Sequence, residues 1–387
     1  MEVKKLKECC TIIAGQSPES KYYNSNGDGL PFFQGKADFG ELYPSIRVYC
    51  SQPTKIAEKD DILLSVRAPV GPTNLAPCKV CIGRGLTAIR PSEVLLTRYV
   101  LLFFRYFEAQ LASKGTGTTF KAITQDVVKN LEIPIPPLPE QERIVARIEE
   151  LFSQLDAGVE TLKKTKAQLA VYRQAVLKEA FEGDYPRKQL KEFSKAISGF
   201  AFKSSRYSPD GNYVVVKIGN VKERHFDFSR DLTKTLEADD SILEKYLLRR
   251  GDCLITLTGS RGKRDYGFVA MVGNQNNYLL NQRVAALRFD QSVALPEFFQ
   301  YYLASPSYRD MFFGYETGNV GQGNVGIKAL LDPYVILPDI DTQKRIIEDV
   351  EDRLSVCDSI EQTVDTALQQ AEAMRQSILK DAFEGRL

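Results

Sequence analysis

The chain has 387 residues, of which 43% are hydrophobic and 26% charged, and its 51 basic and 50 acidic side chains nearly cancel. This length predicts two or three globular domains. The longest apolar run, around Tyr99–Phe104, is too short to cross a membrane, the charged N-terminus argues against a signal peptide, and seven cysteines argue against a disulfide framework. We therefore expect a cytoplasmic protein without a membrane segment.

Residues 1–138 contain three short motifs that return in the same order in residues 185–338. The pairs are Leu6–Gly15 with Leu190–Gly199, Asp61–Gly71 with Asp252–Gly262, and Tyr99–Phe107 with Pro296–Ala304. Because the order is kept, we expect two mixed α/β domains that share one fold.

Residues 139–184 are predicted to form a long helix. Ten positions at alternating spacings of four and three residues run from Ile144 to Val176, and eight of them are apolar. This is the heptad pattern of a coiled coil. Pro139 suits the first turn of the helix, and Gly183 is expected to end it in the left-handed conformation.

Residues 339–387 repeat this helix. A shift of 202 positions aligns Ile133–Gly183 with Val335–Gly385 without a gap, and 17 of the 51 pairs are identical, including the terminal AFEG. Nine of the ten equivalent heptad positions are apolar. Asp341 is expected to cap this second helix and Gly385 to end it. If a pseudo-two-fold axis relates the two halves, the helices run antiparallel.

Together these elements predict an α+β fold in which two mixed α/β domains form a pseudo-two-fold repeat, separated by an antiparallel two-helix coiled coil. Residues 1–139 carry 17 basic and 13 acidic side chains, and residues 184–338 carry 21 and 17. Residues 339–387 carry 6 and 12. The globular domains are therefore better candidates than the helices for binding a polyanion.

Side chains suited to catalysis are sparse. His225 is the single histidine, and we interpret it as an exposed residue, with a DNA contact as the alternative. Cys78 and Cys81 have the spacing of half a zinc site but fit a strand equally well. Gly321–Gly326 matches a dinucleotide-binding pattern without the preceding buried strand, and is interpreted as a flexible loop. We therefore predict that the chain is not an enzyme and binds no cofactor or metal itself.

The two predicted helices and parts of the first domain resemble the specificity (S) subunit of type I restriction–modification systems. IPIPPLPEQERIVARIEELF…LKKTKAQLAVYRQAVLKEAFEG is similar to the central spacer helix of that family, and DTQKRI…RQSILKDAFEG to the distal one. Pro31–Pro44 and Asp61–Pro91 look like segments of its target recognition domains. The resemblance covers essentially the whole chain.

The resemblance implies two target recognition domains, residues 1–138 and 185–338, which each read one half of a split site in double-stranded DNA. It also implies that the central spacer helix, residues 139–184, and the distal spacer helix, residues 339–387, set the gap between the half-sites. These helices would dock two methyltransferase (M) subunits, and restriction (R) subunits are further candidate partners. S-adenosylmethionine is expected in the methyltransferase partner and not in this chain.

Candidate DNA-contacting residues are long polar or basic side chains in predicted loops or beside glycines, because such side chains can reach base edges or phosphates. For each of them the alternative is a solvated surface charge. The densest basic loop is Arg261–Arg264. The candidates are Gln34, Lys36, Arg67, Arg84, Lys114 and Lys121 in the first domain, and Lys217, Asn220, Lys222, Arg224, Arg261, Lys263 and Arg264 in the second.

A second interpretation is a duplicated protein-binding scaffold that does not read DNA. Salt dependence of duplex binding separates the two interpretations, because neutralising phosphates makes affinity fall steeply as ionic strength rises.

Overall fold

The structure is a computed structural model that describes residues 2–115, 122–235, 239–319 and 321–387. Its contacts divide the chain into two units. Unit 1 comprises Met1–Lys163 and Asp365–Leu387, and unit 2 comprises Lys164–Val364. Across the described ranges, no helix is both long enough and apolar enough to cross a membrane.

Unit 1 combines an antiparallel sheet of order β2-β10-β7-β8, a mixed sheet of order β3-β5-β4-β9-β6 and the pair β1-β11. Its helices are α1 (Leu6–Cys9), α2 (Thr97–Ser113), α3 (Gln125–Lys129) and the first part of α4 (Leu138–Ala180). Its strands are β1 (Glu2–Lys5), β2 (Cys10–Ala14), β3 (Tyr23–Asn24), β4 (Leu30–Phe33), β5 (Tyr49–Cys50), β6 (Ile56–Ala57), β7 (Ile62–Ser65), β8 (Thr73–Leu75), β9 (Val80–Ile82), β10 (Leu86–Pro91) and β11 (Glu132–Ile135).

Unit 2 combines an antiparallel sheet of order β13-β20-β16-β18, a sheet of order β15-β14-β19 and the pairs β12-β22 and β17-β21. Its helices are α5 (Asp240–Tyr246), α6 (Pro296–Ala304), α7 (Pro306–Gly314), α8 (Ile327–Leu331) and the first part of α9 (Ile340–Phe383). Its strands are β12 (Arg187–Gln189), β13 (Ser194–Ser198), β14 (Tyr213–Val216), β15 (Lys234–Thr235), β16 (Cys253–Thr256), β17 (Thr258–Gly259), β18 (Val269–Met271), β19 (Tyr278–Leu280), β20 (Val284–Phe289), β21 (Gly323–Asn324) and β22 (Tyr334–Ile336).

The two units share one topology, which confirms the predicted repeat. The sheet β2-β10-β7-β8 corresponds to β13-β20-β16-β18, and the parallel pair β4-β9 corresponds to β14-β19. The central strand β7 lies between two hydrophobic cores, with Ile62 and Leu64 in one and Leu63 in the other. In β16, Cys253 and Leu254 face two cores in the same way. Both strands are therefore apolar without alternation.

An equivalent ion pair between a buried aspartate and a more exposed arginine connects neighbouring strands of the sheet in each unit. The Arg90 guanidinium donates to both oxygens of Asp61 at 2.8 and 2.7 Å. Arg288 makes the same bidentate contact with Asp252, at 2.7 Å to each oxygen. Each carboxylate also accepts a backbone N–H from its own turn, so its buried charge is fully hydrogen-bonded.

Each unit contains the start of one long helix and the end of the other. In unit 1, Ile144 near the start of α4 shares a hydrophobic core with Phe383 at the end of α9. In unit 2, Val176 near the end of α4 shares a core with Val350 near the start of α9. Within each unit the two helices therefore run antiparallel, as predicted.

The AFEG sequence supplies an aromatic anchor at the end of each long helix. The ring of Phe383 lies 5.2 Å from that of Tyr99 and 5.5 Å from that of Phe103, both in α2. The ring of Phe181, just after α4, lies 5.3 Å from that of Phe298 in α6. The repeated motif thus ends each helix against the core of a globular domain.

A buried glutamine joins the first turn of each long helix to its unit. The side-chain oxygen of Gln141 accepts the Leu96 N–H at 2.9 Å, and its amide nitrogen donates to the carbonyl oxygens of Val94 and Pro136, each at 2.9 Å. Gln343 makes the same three bonds, each at 2.8 Å, with Leu295, Val293 and Pro338.

The predicted helix caps were correct in part. Gly385 has a φ of 75° and follows α9 in the left-handed conformation, as expected. Gly183 does not have a positive φ, because α4 has already ended at Ala180. The cap of α9 is Asp339 instead of Asp341, since the helix begins at Ile340 and the Asp339 carboxylate accepts the Thr342 N–H at 2.8 Å.

Two other local predictions were wrong. The segment predicted as a flexible loop, Gly321–Gly326, contains strand β21, which pairs with β17. The heptad positions Tyr172, Ile360 and Met374 were predicted to lie in the helical seam, but they are 46%, 41% and 54% exposed. The heptad pattern shows which positions are apolar, but it does not show where along the helix a partner helix is close enough to cover them.

We expect Gln343→Leu to lower the free energy of unfolding by about 2–4 kcal/mol, because it leaves a buried N–H and two buried carbonyl groups without partners. Urea unfolding followed by circular dichroism measures the change. The exposed neighbour Glu348 provides the control, and its replacement by alanine should change stability by less than about 0.5 kcal/mol. Equal stability of the two variants would contradict this role of Gln343.

Candidate nucleic-acid interface

Four of the candidate residues of the first domain line one cavity in unit 1, which we call the unit 1 cavity. Gln34 and Lys36 follow β4, Arg67 follows β7, and Arg84 lies in the turn between β9 and β10. The cavity has a volume of about 630 Å³. The fold therefore brings three separate loops to one recess.

Backbone contacts hold these three loops close together. The Gly83 N–H donates to the Phe33 carbonyl oxygen at 2.8 Å, and the Val66 N–H donates to the Gly85 carbonyl oxygen at 2.9 Å. A Cβ atom on Gly85 would lie 2.2 Å from the Gln34 carbonyl oxygen. Only glycine allows the backbone to approach this closely.

The three cations of the unit 1 cavity are not held in ion pairs by any described residue, although Lys36 lies near enough to the Glu108 carboxylate to interact with its charge. Lys36, Arg67 and Arg84 are exposed, and none of them forms an ion pair within the part of the chain that the structure describes. Asp38 also lines the cavity, but its carboxylate accepts the backbone N–H of Gln34 at 3.0 Å. Unpaired positive charges in a recess attract a polyanion.

Two aromatic rings line the same cavity. The ring centroids of Tyr23 and Phe32 are 4.7 Å apart, and the Tyr23 hydroxyl donates to the Pro18 carbonyl oxygen at 2.8 Å. Burial raises the pKa of Tyr23, so its phenol is neutral at physiological pH. Aromatic faces beside cations are typical of surfaces that bind nucleic acids.

Of the two remaining candidates of the first domain, Lys114 does not line the unit 1 cavity. Lys114 follows α2, and its Nζ lies 5.7 Å from the ring centroid of Phe107. Lys121 lies outside the described residues. Among the described candidates of the first domain, the cavity therefore brings together Gln34, Lys36, Arg67 and Arg84.

In unit 2, Lys217 and Asn220 have partners within the domain. Lys217 Nζ lies 3.1 Å from the Asp231 carboxylate and 5.1 Å from the ring centroid of Tyr207. Asn220 is buried, and its amide donates to the carbonyl oxygens of Asp227 and Asp231 at 3.1 and 2.7 Å. These contacts hold the two ends of the loop that follows β14 together.

The turn formed by residues 222–225 lies against α9. The Arg224 guanidinium is 3.6 Å from the Asp358 carboxylate, and the Arg224 N–H donates to the Val269 carbonyl oxygen at 2.7 Å. Arg224 has a φ of 66°, which is uncommon for a residue with a side chain. Lys222 forms no ion pair within the described ranges.

The basic loop, residues 260–267, has its cations on the surface of unit 2. Arg261 donates to the Gly318 carbonyl oxygen at 2.8 Å, and Arg264 pairs with Asp310 at 2.6 Å. Lys263 is exposed and has no ion pair among the residues described. All three remain accessible to an external ligand.

Arg309 holds the basic loop from α7, a role that the sequence does not indicate. Its guanidinium donates to the carbonyl oxygens of Arg264, Tyr266 and Gly267 at 2.9, 3.1 and 2.8 Å. It also lies 5.2 Å from the ring centroid of Phe313. Burial lowers the pKa of Arg309. Because its partners are backbone carbonyl groups, no pattern of side chains marks this position.

The residues considered for metal or acid–base chemistry are dispersed. Within residues 2–115, 122–235, 239–319 and 321–387, no group of three or more His, Cys, Asp or Glu side chains could hold a metal ion. Cys78 and Cys81 are free thiols, and burial raises the pKa of Cys81. His225 is exposed, with its Nδ1 atom 3.0 Å from the Glu223 carbonyl oxygen.

Comparison with known sequences identifies one family. The family model described as "Type I restriction modification DNA specificity domain" matches residues 1–170 and 182–370. The chain is 40% identical over 167 residues to the MjaX specificity subunit of Methanocaldococcus jannaschii, a match that covers 43% of this chain and 38% of the relative. It is 27% identical over 332 residues to the EcoKI specificity subunit of Escherichia coli, covering 80% of this chain and 70% of the relative.

Solved structures show the same fold. A chain from a type I restriction–modification system, studied for complex assembly and conformational transition, matches with a TM-score of 0.75 at 19% identity and covers 100% of this chain and 98% of its own. The HsdS subunit from Thermoanaerobacter tengcongensis matches with a TM-score of 0.55 at 20% identity, covering 100% and 97%. At these identities the likeness concerns the fold alone.

We expect Arg309→Met to lower the free energy of unfolding by about 1–3 kcal/mol, because three carbonyl groups of the basic loop lose a charged donor. Amides of residues 260–267 should exchange with deuterium faster, as measured by mass spectrometry. Arg250→Met removes an exposed arginine of the same unit and serves as the control. Unchanged exchange in the Arg309 variant would show that α7 does not hold the loop.

Proposed function

The chain belongs to the family of type I restriction modification DNA specificity domains, and on this premise we propose that it reads a bipartite target in duplex DNA. The globular part of each unit would read one half-site. Methyl transfer and cleavage would then belong to partner subunits, with S-adenosylmethionine bound by the methyltransferase. This assignment implies a cytoplasmic protein, and we place its recognition domains at residues 1–138 and 185–338.

The unit 1 cavity is the observation that supports this proposal most directly. It combines one glutamine with three exposed cations that form no ion pair in the described part of the chain, on loops fixed by backbone hydrogen bonds. Arginine can form two hydrogen bonds with guanine O6 and N7, and glutamine can do so with adenine N6 and N7. We assign Arg67, Arg84 and Gln34 to base edges in the major groove, and Lys36 to a phosphate.

In unit 2 we assign DNA contacts to Lys222 and to the basic loop. The Arg264–Asp310 pair is exposed, and such pairs contribute only about 0–1 kcal/mol, so a phosphate can replace the carboxylate at little cost. Asn220 and Arg224 instead hold the loop after β14, since both are already engaged within unit 2. Lys114, Lys121 and Lys217 remain candidates for phosphate contacts.

We further propose that α4 and α9 set the gap between the half-sites and dock two methyltransferase subunits, beside which restriction subunits could assemble. Large apolar side chains on the helices of unit 2 are exposed, which suits a protein partner. They include Val171 at 71%, Val356 at 58% and Ile360 at 41%. The acidic excess of residues 339–387 makes these helices poor DNA ligands.

Replacing Lys36, Arg67 and Arg84 together by alanine should abolish recognition of one half-site and leave the other unchanged. The chain and its methyltransferase partner would be mixed with a duplex library, and the methylated sequences read out. Salt titration of duplex binding should show a slope smaller by about one for each phosphate that the variant no longer neutralises.

The control replaces Lys7, Lys59 and Lys79, which are exposed in unit 1 and do not line the cavity. These changes remove the same charge, so target selection should stay that of the wild type. A wild-type complex without salt-dependent duplex binding would favour the protein-binding scaffold over the DNA reader.

A matched insertion of seven residues in α4 after Lys163 and in α9 before Asp365 should widen the non-specific spacer and keep both half-site sequences. One heptad adds about 10 Å and preserves the seam of the helices. Methylation of libraries with spacers of varied length measures the preferred gap, and the same insertion in α4 alone is the control. A changed half-site sequence with an unchanged spacer would show that the helices do not set the distance between the half-sites.

A further inference from the structure

One of the turns that line the unit 1 cavity, the turn from β9 to β10, has a topological equivalent in unit 2. In unit 1, the turn from β9 to β10 is fixed by two backbone bonds, Gly83 N–H to Phe33 O at 2.8 Å and Val66 N–H to Gly85 O at 2.9 Å. In unit 2, the turn from β19 to β20 is fixed by the corresponding pair of bonds. These are Asn281 N–H to Val216 O at 3.2 Å and Leu257 N–H to Arg283 O at 2.9 Å.

When the two units are aligned by these hydrogen bonds, residues 281–283 correspond to residues 83–85. The flanking strands support it, since Arg90 in β10 and Arg288 just before the end of β20 both pair with the aspartate that precedes the neighbouring strand. Gln282 then corresponds to Arg84, and Arg283 corresponds to Gly85. The sequence alone did not indicate this, because the spacing between equivalent motifs drifts along the repeat.

Gln282 and Arg283 are both available to a ligand. Both are exposed, and within the described ranges neither side chain forms a hydrogen bond or ion pair. Their backbone is fixed, because the Gln282 N–H donates to the Phe200 carbonyl oxygen at 2.9 Å and the Arg283 carbonyl accepts from Leu257. Two long side chains with donor groups therefore project from a positioned turn.

The backbone of Arg283 is unusual for a residue with a side chain. Its φ is 68°, in the left-handed region that glycine adopts most easily. Unit 1 has a glycine at the equivalent position, Gly85, but its φ is not positive, so the left-handed conformation is particular to Arg283. An arginine kept in an unfavourable backbone conformation, with no partner among the described residues, is better explained by an external ligand than by folding.

We propose that Gln282 and Arg283 read bases in the half-site recognised by unit 2, Arg283 at a guanine and Gln282 at an adjacent adenine. This inference rests on the proposed function and adds the residues that determine specificity in the second domain. Arginine pairs with guanine O6 and N7, and glutamine pairs with adenine N6 and N7. Because unit 1 presents an arginine and a glycine at these positions, its half-site has a different sequence.

Arg283→Gly is the decisive variant, because glycine suits the backbone while removing the reading group. The full chain with its methyltransferase partner would be tested on duplexes randomised in both half-sites. We expect thermal unfolding at an equal or higher temperature, about tenfold weaker binding of the preferred duplex, and loss of preference at one base pair. Gln282→Ala should relax a neighbouring base pair in the same half-site.

Arg250→Ala, an exposed arginine of unit 2 outside this turn, serves as the control and should keep the wild-type target. The half-site of unit 1 is identified by the Lys36, Arg67 and Arg84 variant and should be unchanged by Arg283→Gly. Retention of every base preference, or equal weakening on all sequences with a smaller salt slope, would overturn the base-reading role. A wild-type complex without any sequence preference would instead overturn the proposed function.

Discussion

The buried side chains of Gln141 and Gln343 fix the start of each long helix, and the arrangement of each unit depends on them. A primary amide has a donor and an acceptor, and here they meet two carbonyl groups and one N–H in a site closed to water. A buried polar group has few alternative positions in which it is satisfied, so these bonds set the direction in which the helix leaves the domain. At the C-terminal end of each long helix, the phenylalanine of AFEG packs into a hydrophobic core. This contact constrains the direction of the helix less than hydrogen bonds do, but it buries a large apolar surface.

The two units present their positive charge in different ways on one topology. The cations of the unit 1 cavity form no ion pairs among the described residues, whereas Lys217, Arg224 and Arg264 of unit 2 are paired with aspartates. Paired cations keep a loop in place before a ligand arrives but must give up a partner to bind a phosphate. Unpaired cations bind without that exchange, and their loops are held by backbone bonds instead. Equivalent domains can therefore differ in specificity while the supporting sheet is unchanged.

Regular features of the sequence predicted the long helices and the repeat well, because heptads and the AFEG motif are local patterns. The cap at Gly183 could not be predicted in the same way, since the helix end depends on where Phe181 meets the core. Gln34, Lys36, Arg67 and Arg84 were chosen as candidates because of their predicted loops, but only the fold shows that they share a cavity. Arg309 was missed because its partners are backbone atoms, and Arg283 because its equivalence appears only when strands are aligned by their hydrogen bonds.

The division of the helices between units has a consequence for synthesis on the ribosome. Unit 2 is a continuous stretch, Lys164–Val364, whereas unit 1 requires Asp365–Leu387 in addition to Met1–Lys163. Residues 1–163 of unit 1 are therefore synthesised first but cannot complete their packing until residues 365–387 have been synthesised. Until Phe383 has emerged, the α2 rings that it covers, Tyr99 and Phe103, lack one side of their packing. A nascent chain of this design carries an incomplete apolar surface throughout the synthesis of unit 2, and incompletely packed apolar surfaces of this kind are what chaperones protect from aggregation.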